Sequence, residues 1–248
     1  MIYLFPGLLF FAIATLYTAV GFGGGSSYIA ILALSDLPYQ KIPIIALACN
    51  ISAVTINIFF RQTGQLIDWP KALTLAALAI PFGFIGGLTP LREAVFYLLL
   101  GLLLFASSWT LILPSSLRIQ YIQIPRWLVY AVSPLLGLTA GLVGIGGGIF
   151  LAPVLYHSDY QNKQTVPATL SIYILGNSLF GLVGQISKAG GHPAVDYGTG
   201  LLLVAVLLGA LTGNQISIQW LQPGRLRRMT GIVILLASIR ILFKSAGI

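Results

Sequence analysis

Gly21, Gly23, Gly24 and Gly25, followed at once by Ser26 and Ser27, form the run VGFGGGSSY within residues 1–35, a stretch without a single charged side chain. A second run, VGIGGG, places Gly144, Gly146, Gly147 and Gly148 inside another uncharged stretch. Glycine costs about 1 kcal/mol relative to alanine in a helix interior, so each run should interrupt a helix while the surrounding residues stay in an apolar medium. A helix restarting after such a break, near Ser26 and near Ile149, would present free backbone N–H groups and the positive end of its dipole. Those are anion-binding features, and the Ser26 and Ser27 hydroxyls add donors. The expected substrate-binding residues are therefore Gly23, Gly24, Gly25, Ser26 and Ser27 with Gly146, Gly147 and Gly148. Asn50 and Asn177, polar side chains deep in apolar segments, join them because intramembrane polar groups face the protein interior and seek partners. The same pattern also suits small-residue helix packing, and Asn50 and Asn177 also suit interhelical hydrogen bonding.

Other chemistries find little support. No acidic residue lies clearly within an apolar segment, since Asp36, Asp68, Glu93, Asp159 and Asp196 fall near expected loops. A GxGD aspartyl-protease pattern is absent, and His157 and His192 sit in loops, where a serine-type enzyme would need a buried histidine. Neither glycine run matches GxxxxGK[ST] or GxGxxG. The only cysteine, Cys49, cannot form an internal disulfide or a zinc site and reads as a small buried hydrophobe. No metal or organic cofactor is called for, and an enzyme is not expected.

The elements that must carry these residues are membrane helices. Hydrophobic residues make up 57% of the chain and charged residues 7%, far from a soluble composition. Residues 1–35, 42–60, 72–91, 94–117, 127–156, 164–187 and 197–224 are each long enough to cross a bilayer, which takes roughly 20 helical residues. A shorter run over 228–243 carries Arg240, placed to snorkel. The N-terminal run lacks a basic leader and is read as the first membrane segment. The expected fold is thus all-α and polytopic, with about eight hydrophobic segments. The net charge of +8 is scattered over short loops, which suits lipid headgroups or an anionic solute better than nucleic acid.

The chain also repeats itself. VGFGGG returns as VGIGGG, LPYQK as DYQNK, Asn50 as Asn177, Asp68-Trp69 as Asp196-Tyr197, Gly83/Gly87 as Gly209/Gly213, and Gly101/Ser108 as Gly231/Ser238. Six landmarks in order define two homologous four-segment repeats, 1–113 and 127–248, joined by the polar linker 114–126. Gly-interrupted segments at matching places in two halves are the sequence pointer to a transporter's substrate site. The two breaks should meet at the pseudo-symmetry axis, whereas Gly83/Gly87 and Gly209/Gly213 read as close-packing positions. Gln185 has no obvious mate, and no arginine clearly sits at depth.

Topology stays open at this level. If every segment spans, Lys and Arg divide seven against six and the repeats are parallel. If the first segment of each repeat is re-entrant, the division is eight against five and the repeats are inverted, with the linker on the richer, cytoplasmic side.

A pair of GxGGG segments half a chain apart, Gly21–Gly25 and Gly144–Gly148, the second followed by IFLAPVL with Pro153, resembles the TauE/SafE sulfite-exporter family. The likeness spans essentially the whole chain, although the first copy continues SSYIAIL and lacks the proline. The resemblance implies a secondary transporter of a small sulfur-containing anion such as sulfite, thiosulfate or a sulfonate, working by alternating access in the bacterial plasma (inner) membrane. A passive anion channel and a non-transporting membrane assembly or partner protein are the alternatives. The expected partners are a small inorganic or organosulfur anion and the lipid bilayer, not nucleic acid; assembly into a homo-oligomer stays open.

Overall fold

A computed structural model describes residues 4–19, 21–35, 37–63, 65–112, 124–190, 197–215 and 223–245. The linker core, Asp36, His192 and Asp196 lie outside the described residues. Ten helices account for nearly all of the remainder: α1 (Leu4–Ala19), α2 (Gly25–Ala33), α3 (Lys41–Thr63), α4 (Trp69–Leu88), α5 (Glu93–Ile112), α6 (Arg126–Val143), α7 (Gly148–Tyr156), α8 (Val166–Lys188), α9 (Tyr197–Gln215) and α10 (Pro223–Ser245). Five of them, α3, α4, α6, α8 and α9, contain stretches long and apolar enough to cross a membrane, and α1 and α5 contribute shorter apolar stretches. The chain is a helical integral membrane protein. The two segments with glycine runs are each divided into a long helix and a nine-residue one, α1 with α2 and α6 with α7.

Small residues decide how these helices pack, because in lipid close approach replaces the hydrophobic effect as the driving force. A Cβ added to Gly137 would lie 2.5 Å from the Ala79 carbonyl, one added to Gly87 3.1 Å from the Gln185 amide, and one added to Gly209 2.7 Å from Ala14. The pairs Gly83/Gly87 and Gly209/Gly213 therefore sit at helix crossings where a side chain has no room. Ser133 bridges the α6–α4 crossing by donating to the Leu75 carbonyl at 3.0 Å. Thr15 and Thr212 meet at 3.0 Å across α1 and α9. The first helix of each half thus packs on the fourth helix of the other half.

The contacts also fix helix directions. Arg61 and Pro167 converge on Gly21, Asn50 and Ser178 converge on Gly146, and Leu47 faces Gly181. Along α3 the numbers rise while along α8 they fall, so these two 23-residue helices run antiparallel. Gly101 meets Leu242, and Gly231 meets Ile112, so α5 and α10 also run antiparallel. Ser133 pairs with Leu75 and Gly141 with Gly83, so α6 runs parallel to α4.

The α6–α7 pair enters and leaves by the same face. The Ile124 amide, just before α6, donates to the His157 carbonyl, just after α7, at 2.9 Å. Nearby, Tyr160 donates to the Lys71 carbonyl at 3.1 Å, and burial pushes its phenol well above the ordinary tyrosine value. Asp68 caps α4, accepting from the Lys71 amide at 3.4 Å and pairing with its ammonium at 3.0 Å. At the opposite face Lys244, ending α10, donates to the Ala33 carbonyl at 3.3 Å and lies 4.5 Å from the Tyr97 ring centroid. A cation there complements the negative end of the α2 dipole.

Candidate functional site

The glycine runs break the helices by adopting left-handed backbone that other residues resist. Gly21 and Gly24 have φ of 88° and 82°; Gly144, Gly146 and Gly147 have 88°, 82° and 76°. Gly24 and Gly147 are the N-caps from which α2 and α7 start, at Gly25 and Gly148. The first two amides of each short helix, on Gly25 and Ser26 and on Gly148 and Ile149, have no intrahelical acceptor. Where the next amides do bond, they turn back on the cap: Ser27 N–H donates to the Gly24 carbonyl at 3.0 Å and Phe150 N–H to the Gly147 carbonyl at 3.2 Å.

The two breaks meet. A Cβ on Gly25 would stand 2.5 Å from the Ile145 carbonyl oxygen of the other half. The Asn50 side-chain amide, on α3, donates to that same oxygen at 3.2 Å and packs against Gly23, Gly25 and Gly146. One asparagine therefore ties the first break to the second. Between them lies a small cavity, walled among others by Tyr17, Gly24, Ser26, Asn50, Gly148 and Ile149.

Of the residues expected from sequence, Gly23, Gly24, Gly25, Ser26, Asn50 and Gly148 line this cavity. Ser27 is one step removed, its hydroxyl donating to the Tyr17 hydroxyl at 2.9 Å. Gly146 lies behind Asn50, and Gly147 packs against the Tyr173 ring and Ala140. Asn177 is elsewhere. It faces Gly83 of α4, at the α4–α8 crossing, so it does not occupy the place in the second half that Asn50 occupies in the first. Ile174 holds that place against Gly146 and Gly148, and Ser178 holds the place matching Val54 at Gly23.

Polar atoms at the cavity and on neighbouring α8 are left incompletely used. Ser26 Oγ, Asn50 Oδ1, Ser178 Oγ and both amide atoms of Asn177 are buried without a hydrogen-bond partner. Ser26 is 2% exposed, Asn50 1%, and Asn177 and Ser178 0%. Buried polar atoms normally find partners, since leaving one bare costs about 1–3 kcal/mol. Two of them, Ser26 and Asn50, are on the cavity wall itself.

Tyr17 and the clamp on the first break were not expected from sequence. Tyr17 contributes both cavity wall and the acceptor for Ser27. Asn57 donates to the Phe22 carbonyl at 3.1 Å and accepts from Asn214 of α9 at 2.8 Å. Ser171 of α8 donates to the Gly21 carbonyl at 3.1 Å. A lone tyrosine in an apolar run carries no signal of its own; the polarity of Asn57 was visible, but its partners were not.

Comparison with known proteins gives a family match and membrane-transporter relatives. Residues 7–241 match the family described as "Sulfite exporter TauE/SafE". The "Probable membrane transporter protein y4hK" of Sinorhizobium fredii is 30% identical over 243 residues, covering 95% of this chain and 96% of the relative. The "Probable membrane transporter protein MJ0441" of Methanocaldococcus jannaschii is 26% identical over 192 residues, covering 71% and 70% of the two chains. No solved structure matches the chain.

Proposed function

This chain belongs to the sulfite exporter TauE/SafE family, and we propose that it is a secondary transporter moving a small sulfur-containing oxyanion by alternating access around its two glycine breaks. That it is a membrane transporter and not an enzyme follows from the family and the relatives. The observation supporting the finer reading is the abutment of two half-helix N-termini at a cavity whose wall carries unpartnered donors and acceptors, Ser26 Oγ and Asn50 Oδ1. Free amides, hydroxyls and a carboxamide in a site without carboxylates favour an anion over a cation.

The halves 1–113 and 127–248 act as inverted repeats. Antiparallel α3/α8 and α5/α10, and the common face of the two ends of the α6–α7 pair, support three crossings per half with a re-entrant hairpin before them. The Lys and Arg residues then divide eight against five, which puts the linker and the Arg61 end of α3 in the cytoplasm. Inverted repeats supply alternating access directly, because the two halves exchange conformations about a site that both of them build.

The test is flux in proteoliposomes loaded with sulfite, thiosulfate, sulfate or a short sulfonate. Saturable movement of a sulfur anion, lost in Gly24→Val and Gly147→Val although both variants reach the membrane, is the expected result. Both glycines hold left-handed backbone, so a β-branched residue there closes the break. Full activity in both variants would sink the proposal, and single-channel current would make the protein a pore.

A further inference from the structure

Arg61 stands in the last turn of α3, in the face that carries most of the positive charge. Its guanidinium lies against the first glycine of the first break. A Cβ on Gly21 would fall 2.9 Å from Arg61 Cζ and 2.6 Å from Pro167 Cβ, so this glycine is small because arginine and proline fill the space beside it. Arg61 Nε is buried with no hydrogen-bond partner. Among the described residues the ion pair found is Lys71 with Asp68, and no carboxylate holds Arg61.

The second half answers differently. Gly144 faces Pro43 as Gly21 faces Pro167. Gln185 stands eleven residues beyond Ile174, as Arg61 stands eleven beyond Asn50. Gln185 is neutral and satisfied, donating to the Gly141 carbonyl at 2.8 Å and the Leu142 carbonyl at 3.3 Å. Matching places next to the two breaks thus hold a partly unsatisfied cation in one half and a satisfied amide in the other. A favourable helix dipole explains a cation in a last turn, as it does for Lys244 at the end of α10. It does not explain a guanidinium set beside a glycine break with its Nε buried and unpartnered.

We infer that Arg61 is an anion-docking residue on its own face of the transporter, so that the two faces bind the transported anion unequally. The inference rests on the transport reading above. A guanidinium offers a planar fork of donors that fits an oxyanion and cannot lose its charge. An anion passing between the cytoplasmic face and the break meets this donor beside Gly21, whereas the matching place in the second half holds Gln185, whose donor is already used, and Lys188 one turn on donates to the Thr89 carbonyl at 3.3 Å. With equal salt on both sides and no membrane potential, a carrier cannot rectify at equilibrium. Tighter docking at the Arg61 face is therefore matched by a lower maximal rate from that face, leaving the two ratios of rate to half-saturation equal.

The test uses sulfite flux in right-side-out and inside-out membrane vesicles from the same cells, with R61Q, R61K and G24V. In the wild type, half-saturation is expected to be lower at the Arg61 face. R61Q raises it about tenfold there, the weight of one charge-assisted hydrogen bond, and leaves the opposite face unchanged. R61K, which keeps the charge without the fork, falls between, and stands in if R61Q fails to reach the membrane. Added salt narrows the difference between the faces in the wild type but not in R61Q. Half-saturation equal at both faces and unmoved in R61Q overturns the inference while leaving transport intact. Wild-type vesicles that move no sulfite beyond the G24V background overturn the transport reading, and this one with it.

Discussion

At the first break Gly23 and Gly25 face Asn50; at the second, Gly146 and Gly148 face Ile174. The backbone at the two places is similar, with left-handed glycines at 21 and 24 in one and at 144 and 147 in the other, the second adding Gly146. Their surroundings are not. Three side chains hold carbonyls of the first break or its neighbour: Asn57 on Phe22, Ser171 on Gly21, and Asn50 on Ile145 across the gap. Asn57 is itself backed by Asn214. Around the second break, Ile174 supplies only methyl groups, and the nearby Ser178 hydroxyl is unpartnered. A similar backbone device thus stands twice in the chain, one copy lined by Asn50 and clamped through Asn57 and Ser171, the other lined by Ile174 and held through Asn50 on Ile145 and Gln185 on Gly141 and Leu142.

The largest difference should come from adding one methyl to each half. In Gly25→Ala the new Cβ meets the Asn50 amide and, at 2.5 Å, the Ile145 carbonyl, neither of which can yield without opening the contact between the breaks. Sulfite flux should fall more than about a hundredfold, the equivalent of roughly 3 kcal/mol. In Gly148→Ala the close contacts of the Cβ are with Cδ1 and Cγ1 of Ile174, the Leu170 carbonyl staying at 3.9 Å; that side chain can change rotamer, and alanine favours the helix it starts. Flux should stay within about tenfold of wild type. Equal losses in the two variants would mean that the breaks are functionally equivalent and the contrast drawn above is empty.

Next in size is Asn50→Ala against Ile174→Ala. Removing the Asn50 amide leaves the Ile145 carbonyl buried and unpaired, a cost of about 1–3 kcal/mol. Transport should drop about tenfold or more, with thermal stability lowered in detergent. Ile174→Ala removes packing but no polar contact, so it should lower stability while leaving the half-saturation for sulfite nearly unchanged. An Ile174→Ala variant that shifts half-saturation as much as Asn50→Ala would show that shape, rather than the carboxamide, governs the site.

This contrast could be read from sequence only in part. The breaks themselves were legible because four glycines in an uncharged run weaken a helix more than close packing alone requires, and the short helices start at Gly25 and Gly148, within a residue of where the glycines place them. The glycines at helix crossings were legible too, Gly83/Gly87 and Gly209/Gly213 standing where a side chain has no room. Asn50 and Asn177 were matched because each follows a small or sulfur-containing residue at a similar offset. The packing instead sets Ile174 opposite Asn50, three positions earlier, which places Asn177 on the neighbouring helix face. On a helix three residues turn the side chain most of the way around, so an alignment slip that small moves a residue between partners. Arg61 and Gln185, given no relation by their types, turn out to occupy matching places. The exchange of first helices between halves left no trace in the sequence, because hydrophobicity reports that a helix is buried and not against which helix.

The smallest effect worth measuring sharpens the comparison from inside the first break. Tyr17 accepts from Ser27 at 2.9 Å, holding the first turn of α2 against the end of α1. Tyr17→Phe keeps the ring and its packing and removes only the acceptor, leaving Ser27 to bond its own helix, as hydroxyls in membrane helices readily do. The expected loss is about 0.5–1.5 kcal/mol, a few-fold in flux, with no change in expression. Among the described residues no hydroxyl pair of this kind is found at the second break, where Val143, Ile145 and Ile149 present apolar side chains. If Tyr17→Phe were to cost as much as Asn50→Ala, the hydroxyl would have to contact the anion directly. Tyr17 and Ser26 would then form the polar wall of the site together, and the polarity of the first half would be its share of binding rather than its means of staying closed.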